Sequence, residues 1–152
     1  MKKYFVLITL WVVSIAAAVG GLELYKSHQG AEFDKTAIPY IRTVIPQIST
    51  WDPETVRALM APEIAANIPD ERFVRAMHLF SKLGALQSID EPKFSEASVD
   101  QETEIGKQTI VEYKIDAQYE NSEAEITLQL LERGESYEIY RFNFSSELLL
   151  SS

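Results

Sequence analysis

The side chains that could do chemistry in this 152-residue sequence are few and scattered. It contains no Cys, which excludes a disulfide framework, a thiolate metal site and a cysteine nucleophile. His28 lies in a polar stretch and His78 on the polar stripe of a predicted helix, where neither has an evident partner for catalysis or metal binding. The acids Asp100, Glu102 and Glu104 alternate on a predicted loop but lack the glycine and ligand spacing of a calcium loop. We therefore predict no catalytic residue, no metal site and no cofactor.

Sequence motifs of common active sites are missing as well. There is no Gly-rich phosphate loop, His-Glu-x-x-His, Gly-x-Ser-x-Gly or EF-hand loop. An isomerase or hydrolase would need a buried acid or base, and every Asp, Glu and His that can be placed falls on an exposed face or a loop. What remains is a set of aromatic residues that we interpret first as core and, alternatively, as the lining of a cone-shaped pocket. These residues are Trp51, Phe80, Tyr113, Tyr119, Tyr137 and Phe142.

Charge is unevenly distributed along the chain, whose formal net charge is -9. Residues 22–86 hold 7 Lys/Arg and 8 Asp/Glu, whereas residues 87–140 hold 4 Lys/Arg and 14 Asp/Glu, a net of -10. A nucleic-acid partner is excluded because phosphate binding needs a basic face. The acidity of the C-terminal half predicts a solvated face or, alternatively, a docking surface for a basic partner.

The N-terminus has the pattern of a membrane segment. Lys2 and Lys3 precede a run without charged side chains from residue 4 to residue 22. As a helix this run would be about 28 Å long, close to the ~30 Å hydrocarbon core of a bilayer. The positive-inside tendency places the N-terminus in the cytoplasm and the remaining chain across the membrane.

A cleaved signal peptide is the alternative to a retained anchor, because small residues at 16–18 would suit a cleavage site. The apolar run is long for a signal peptide, which favours the anchor. We predict an anchor or signal segment at 1–24 and a juxtamembrane linker at 25–35. The expected location is the inner membrane, single-pass, with the C-terminal domain in the periplasm; the alternative is secretion to the periplasm after cleavage.

Helical periodicity follows the linker. Isoleucines recur at helical spacing over residues 36–51, with Thr36 as the expected cap and Pro46 expected to kink or split the helix near Val44. A second helix is predicted from the cap Asp52 to about Met60.

Two further signals follow before the period changes. A short turn is predicted to begin at Pro62, and a third helix to span 70–83. Gly84 is expected to end that helix in a left-handed conformation.

From residue 87 the apolar period becomes 2, which predicts four antiparallel strands with one dry and one wet face. The first strand, 87–99, is broken by Pro92 and is expected at an edge. The last strand, 136–144, changes phase between Ile139 and Phe142, which predicts a β-bulge near Tyr140 and Arg141. The element order predicts an α+β domain at 36–146, with about three helices on a curved four-stranded sheet and a tail at 147–152.

Three segments resemble small exported bacterial domains of the NTF2-like, cystatin-like superfamily. They are 48–52 (Ile-Ser-Thr-Trp-Asp), 80–86 (Phe-Ser-Lys-Leu-Gly-Ala-Leu) and 134–142 (Gly-x-x-Tyr-x-Ile-x-x-Phe). The resemblance implies an N-terminal membrane segment, a helical half and a curved antiparallel sheet. It implies no activity, because the Asp base and the Tyr/Asp oxyanion pair of the ketosteroid-isomerase branch have no match here.

The functional expectation is a non-catalytic, membrane-tethered extracytoplasmic interaction module, an accessory subunit of an envelope assembly. It would contact the lipid bilayer through residues 4–22, and analogy with similar small domains predicts a homodimer through the open sheet face. A small-molecule-binding domain that uses the concavity between sheet and helices is the alternative. An isomerase- or hydrolase-type enzyme is the second alternative.

Overall fold

The structure is a computed structural model that describes residues 29–100 and 108–151. Several predictions fall outside these residues and stay predictions. They concern the membrane segment 4–22, the linker residues 25–28 with His28, and the acids Glu102 and Glu104.

The chain divides into two compact units, Met1–Glu32 and Phe33–Ser152. The sheet belongs to the second unit, together with the helical residues from 33 onward. Within residues 29–100 and 108–151, no helix is both long enough and apolar enough to cross a bilayer.

Helix α1 covers residues 29–48 and therefore begins before the expected cap, Thr36, which lies inside it. The helix also continues through Pro46, so the predicted split was wrong. Pro39 and Pro46 lie two turns apart on exposed positions, and the carbonyls that lose their N–H partners also belong to exposed residues. Water can satisfy those carbonyls, so both prolines are tolerated.

Short helices follow α1, as predicted. Asp52 caps the next helix, accepting hydrogen bonds from the Thr55 N–H (3.3 Å) and hydroxyl (2.6 Å). Gly84 has the expected positive φ of 83°, but its ψ of -156° puts it in an extended region open only to glycine, not in the left-handed helical region. The elements are α2 Pro53–Leu59, α3 Pro62–Ala65, α4 Asp70–Phe80 and a 3₁₀ turn Ser81–Leu83.

The sheet is antiparallel and has five strands instead of four. Pro92, which cannot donate to a ladder, divides the expected first strand in two, and both parts pair with the same edge of the following strand. The strands are β1 Leu86–Ile89, β2 Lys93–Asp100, β3 Gln108–Tyr119, β4 Glu123–Arg133 and β5 Ser136–Ser145. The fold is therefore α+β, with β3 and β4 in the middle of the sheet and β5 at the far edge.

The predicted bulge in β5 is confirmed. Gln129 lies opposite Arg141 and Leu130 opposite Ile139, so Tyr140 is the extra residue. The bulge brings the apolar residues before and after it to the same sheet face, against the buried stripe of α1.

The predicted C-terminal tail contains a short helix, α5 Glu147–Leu150. The Ser146 hydroxyl accepts from the Leu148 N–H at 3.1 Å and caps it. Leu148 and Leu149 pack on the core, while Leu150 is 84% exposed.

Candidate functional site

The tyrosines predicted as pocket lining point their hydroxyls at helix α1. Tyr113 Oη donates to Asp34 Oδ1 at 2.7 Å, and Tyr137 Oη lies 2.8 Å from Thr36 Oγ1. Burial and the bonded Asp34 carboxylate raise the pKa of Tyr113 far above its usual range, and burial raises the pKa of Tyr137. Both hydroxyls therefore stay protonated at neutral pH and tie α1 to β3 and β5.

A third tyrosine repeats this arrangement at the end of α1. Tyr119 Oη and Ser49 Oγ lie 2.7 Å apart in a buried contact, and burial raises the pKa of Tyr119 to about 12. Trp51 lies beside them with a positive φ of 61°, and its indole N–H donates to the Gly84 carbonyl at 3.0 Å. Its ring centroid is 5.5 Å from Tyr119 and 5.3 Å from Phe144. These contacts hold Trp51 in a conformation that a bulky residue rarely adopts.

Phe80 and Phe142, the other two predicted residues, lie together at a surface groove of about 420 Å³. The structure thus separates the six aromatic residues: these two line the groove, and the other four do not. We call this surface the apolar groove. It lies between α3, α4 and the β5 bulge, and its lining includes Met60, Ile64, Ile68, Arg72, Phe73, Met77, Phe80, Tyr140, Arg141 and Phe142.

Arg57 fixes one wall of the apolar groove. Its guanidinium donates to the Ala65 carbonyl at 2.7 Å and the Ile68 carbonyl at 3.4 Å, and pairs with Asp70 at 3.1 Å. It also lies 4.6 Å from the centre of the Phe73 ring, a cation–π contact. One side chain therefore connects α2 with α3, the following turn and the start of α4.

The bulge shapes the opposite wall. In a regular strand, successive side chains alternate between the two faces, so three consecutive residues rarely serve one site. At the bulge, Tyr140, Arg141 and Phe142 all line the groove. The sequence signal that predicted the bulge therefore also marks this wall, although the groove itself was not predicted.

Sequence reasoning missed Arg72, Arg141, Ile64 and Ile68 as site residues. A signal was present for Arg72, because no acid lies three or four positions away to pair with it on the helix. The two isoleucines follow Pro62 in the segment before α4, and both are only partly buried against the core.

A second surface, the acidic concavity, is an open depression of about 930 Å³ on the outer sheet face. Strand register places Asp116 opposite Glu125 and Gln118 opposite Glu123. The Asp90 N–H donates to the Asp116 carbonyl at 2.8 Å, which adds another acid. No Lys or Arg belongs to the described lining, whose acids are Asp90, Asp116, Glu123, Glu125 and Glu147.

Other candidate chemistry is sparse. His78 is exposed on α4, as predicted. Among the described residues, no three His, Asp or Glu side chains are grouped so as to hold a metal ion. Comparison of the chain with protein-family models, curated proteins and solved structures found no match. The NTF2-like resemblance therefore stays a prediction, and any function must be argued from the two surfaces.

Proposed function

We propose that this chain is a non-catalytic, membrane-tethered extracytoplasmic module that binds a basic segment of a partner protein in the acidic concavity. The tether is the apolar run 4–22, preceded by Lys2 and Lys3. The expected location is the inner membrane, with the described domain in the periplasm. If the segment is a cleaved signal, the same domain would be secreted to the periplasm.

One observation carries the proposal: like charges face each other across β3 and β4 inside a concave surface. Asp116 lies directly opposite Glu125, an arrangement that destabilises a sheet. No cation in the described lining compensates for it. Like charges also face each other at Glu96/Glu112 and Lys93/Lys114, so the distinguishing feature is that five acids and no described Lys or Arg line one concave surface, which favours a positively charged partner.

The interior supports a role without catalysis. The buried polar residues among those described are Ser49, Gln108 and Ser146, and no carboxylate is among them. The hydroxyls of the three core tyrosines are engaged with residues of α1 or the turn after it. No described acid or base has the burial that an isomerase-type site would require.

The test compares two doubly substituted full-length proteins in native membranes. Asp116→Lys with Glu125→Lys reverses the charge of the concavity, and Glu132→Lys with Glu135→Lys makes the same charge change on the exposed β4–β5 hairpin. Membranes are cross-linked and then gently solubilised. The wild type and the hairpin variant should recover the same partner, and raising the salt concentration before cross-linking should lower that recovery. The concavity variant should lose it. Repeated recovery of the protein alone, or equal recovery by both variants, would refute the proposal.

The tether is tested separately by fractionation and intact mass. Full-length chain in the membrane fraction supports a retained anchor, whereas a loss of about 2 kDa indicates signal cleavage. Full-length chain free in the cytosol would contradict the proposed location.

A further inference from the structure

The apolar groove leaves half-buried apolar side chains exposed along one continuous surface. Ile64, Ile68, Phe80 and Phe142 all line the groove, and each is only partly covered by the rest of the described domain. The volume of about 420 Å³ lies within the range of small-molecule sites. An apolar occupant would therefore gain free energy by covering this surface.

Two arginines at the same groove supply the polar part of a site. Arg72 and Arg141 are exposed, and neither has an ion pair among the described residues. By contrast, Arg42, Arg57 and Arg133 each pair with an acid. Among the described residues Arg75 also has no ion pair, so what sets Arg72 and Arg141 apart is that both line the apolar groove. A guanidinium binds a carboxylate through two parallel hydrogen bonds, so a carboxylate is the anionic group best matched to these two arginines.

The groove is also held in shape before any ligand binds. Arg57 joins its α3 and α4 walls, and Tyr140, Arg141 and Phe142 at the bulge line the third wall. A preformed site binds at a smaller entropic cost than one that must be ordered.

We propose that the apolar groove binds a small organic carboxylate with a flat apolar body, whose acid group pairs with Arg72 and Arg141. The ring or chain would lie against Phe80 and Phe142, because flat apolar groups stack well on aromatic side chains. This site is separate from the acidic concavity and does not depend on the partner proposed there.

The experiment is isothermal titration of the full-length protein in nanodiscs of neutral phosphatidylcholine, with empty discs as the blank for partitioning. The probe is 2-naphthoate. Its neutral isostere 2-naphthamide tests the need for charge, and acetate tests the need for the apolar body. Arg72→Gln and Arg141→Gln remove one cation each. Arg75→Gln is the matched control, because Arg75 is also exposed on α4 but does not line the groove.

We expect 2-naphthoate to bind one to one, and 2-naphthamide and acetate to bind at least tenfold more weakly. Arg72→Gln and Arg141→Gln should each lower the affinity about tenfold, as expected for loss of a charge-assisted hydrogen bond. Arg75→Gln should stay within twofold of wild type. The proposal is overturned if 2-naphthoate gives no signal beyond empty discs, if 2-naphthamide binds equally well, or if Arg75→Gln causes the same loss.

Discussion

The buried hydrogen bond between Tyr119 and Ser49 allows a direct test of how α1 is held against the sheet. The two hydroxyl oxygens lie 2.7 Å apart, and both residues are buried. Tyr119→Phe removes one hydroxyl and keeps the ring, which packs 5.5 Å from Trp51. Ser49→Ala removes the other hydroxyl. Each single variant leaves a buried hydroxyl without its partner, whereas the double variant leaves none.

That difference sets the expected magnitudes. Burying a polar group without its partner costs about 1–3 kcal/mol, so each single variant should lower the free energy of unfolding by that amount. Removing both partners is nearly neutral when the shapes are kept, so the double variant should lose less than the sum of the two single losses. The resulting interaction energy in a double-mutant cycle should be roughly 1–2 kcal/mol.

The assay is urea unfolding of the full-length chain in neutral detergent, followed by the fluorescence of Trp51. The chain has 2 Trp, Trp11 and Trp51, so the substitution Trp11→Phe in every variant leaves Trp51 as the single fluorescent reporter. Tyr140→Phe is the control, since no hydrogen bond of its hydroxyl is found among the described residues; it should cost under about 0.5 kcal/mol. Additive losses in the cycle, or equal losses for Tyr119→Phe and Tyr140→Phe, would refute the reasoning.

Three further predictions concern backbone, pH and the groove wall. Gly84→Ala should destabilise the domain by roughly 2 kcal/mol or more in the same unfolding assay, because the φ of Gly84 is +83° and an added Cβ would lie 3.0 Å from Glu120 Cβ. Gly134→Ala is the control and should cost about 1 kcal/mol, because Gly134 has a φ of +60° but open space around it. Because burial raises the pKa of Tyr119 to about 12, its contribution to stability is complete below pH 10 and is lost as the pH rises from 10 to about 12. Unfolding measured from pH 9 to 11 should show this fall, and Tyr119→Phe should make it shallower; an unchanged slope would contradict it. Arg57→Lys should lower the melting temperature by a few degrees, because one ammonium cannot make all the contacts of the guanidinium with two carbonyls, the Asp70 carboxylate and the Phe73 ring. An unchanged melting temperature would show that these guanidinium contacts do not stabilise the domain.

Local patterns predicted much of this fold because their causes are local. The Asp52 cap follows from one side chain and the N–H groups just after it. The bulge at Tyr140 follows from a phase change within ten residues, since only an extra residue could put Tyr137 and Phe144 on the same face.

The errors arose where solvent or another segment decides the outcome. Pro46 was expected to kink or split α1, but the helix continues through it without a break and presents it to water, where a lost hydrogen bond costs little. Thr36 has the chemistry of a cap, yet it lies within the helix and its hydroxyl contacts Tyr137, 101 residues away in sequence. A contact of that separation cannot be read from the periodicity of either segment.

The aromatic residues of the core and those of the apolar groove differ in accessibility because they contact different parts of the domain. A pocket lined by Tyr113, Tyr119 and Tyr137 would need their hydroxyls free for a ligand, and all three are bonded to Asp34, Ser49 and Thr36. To open that space, α1 would have to leave the sheet and break three buried or half-buried hydrogen bonds. Phe80 and Phe142 have no hydroxyl to satisfy and lie where α4 ends beside an edge strand, so their exposed faces can accept an apolar partner without any loss of internal contacts. Sequence patterns place the three tyrosines and the two phenylalanines alike on the apolar faces of their elements. Which of them stays accessible to a ligand is decided by the segment that each one contacts in the folded domain.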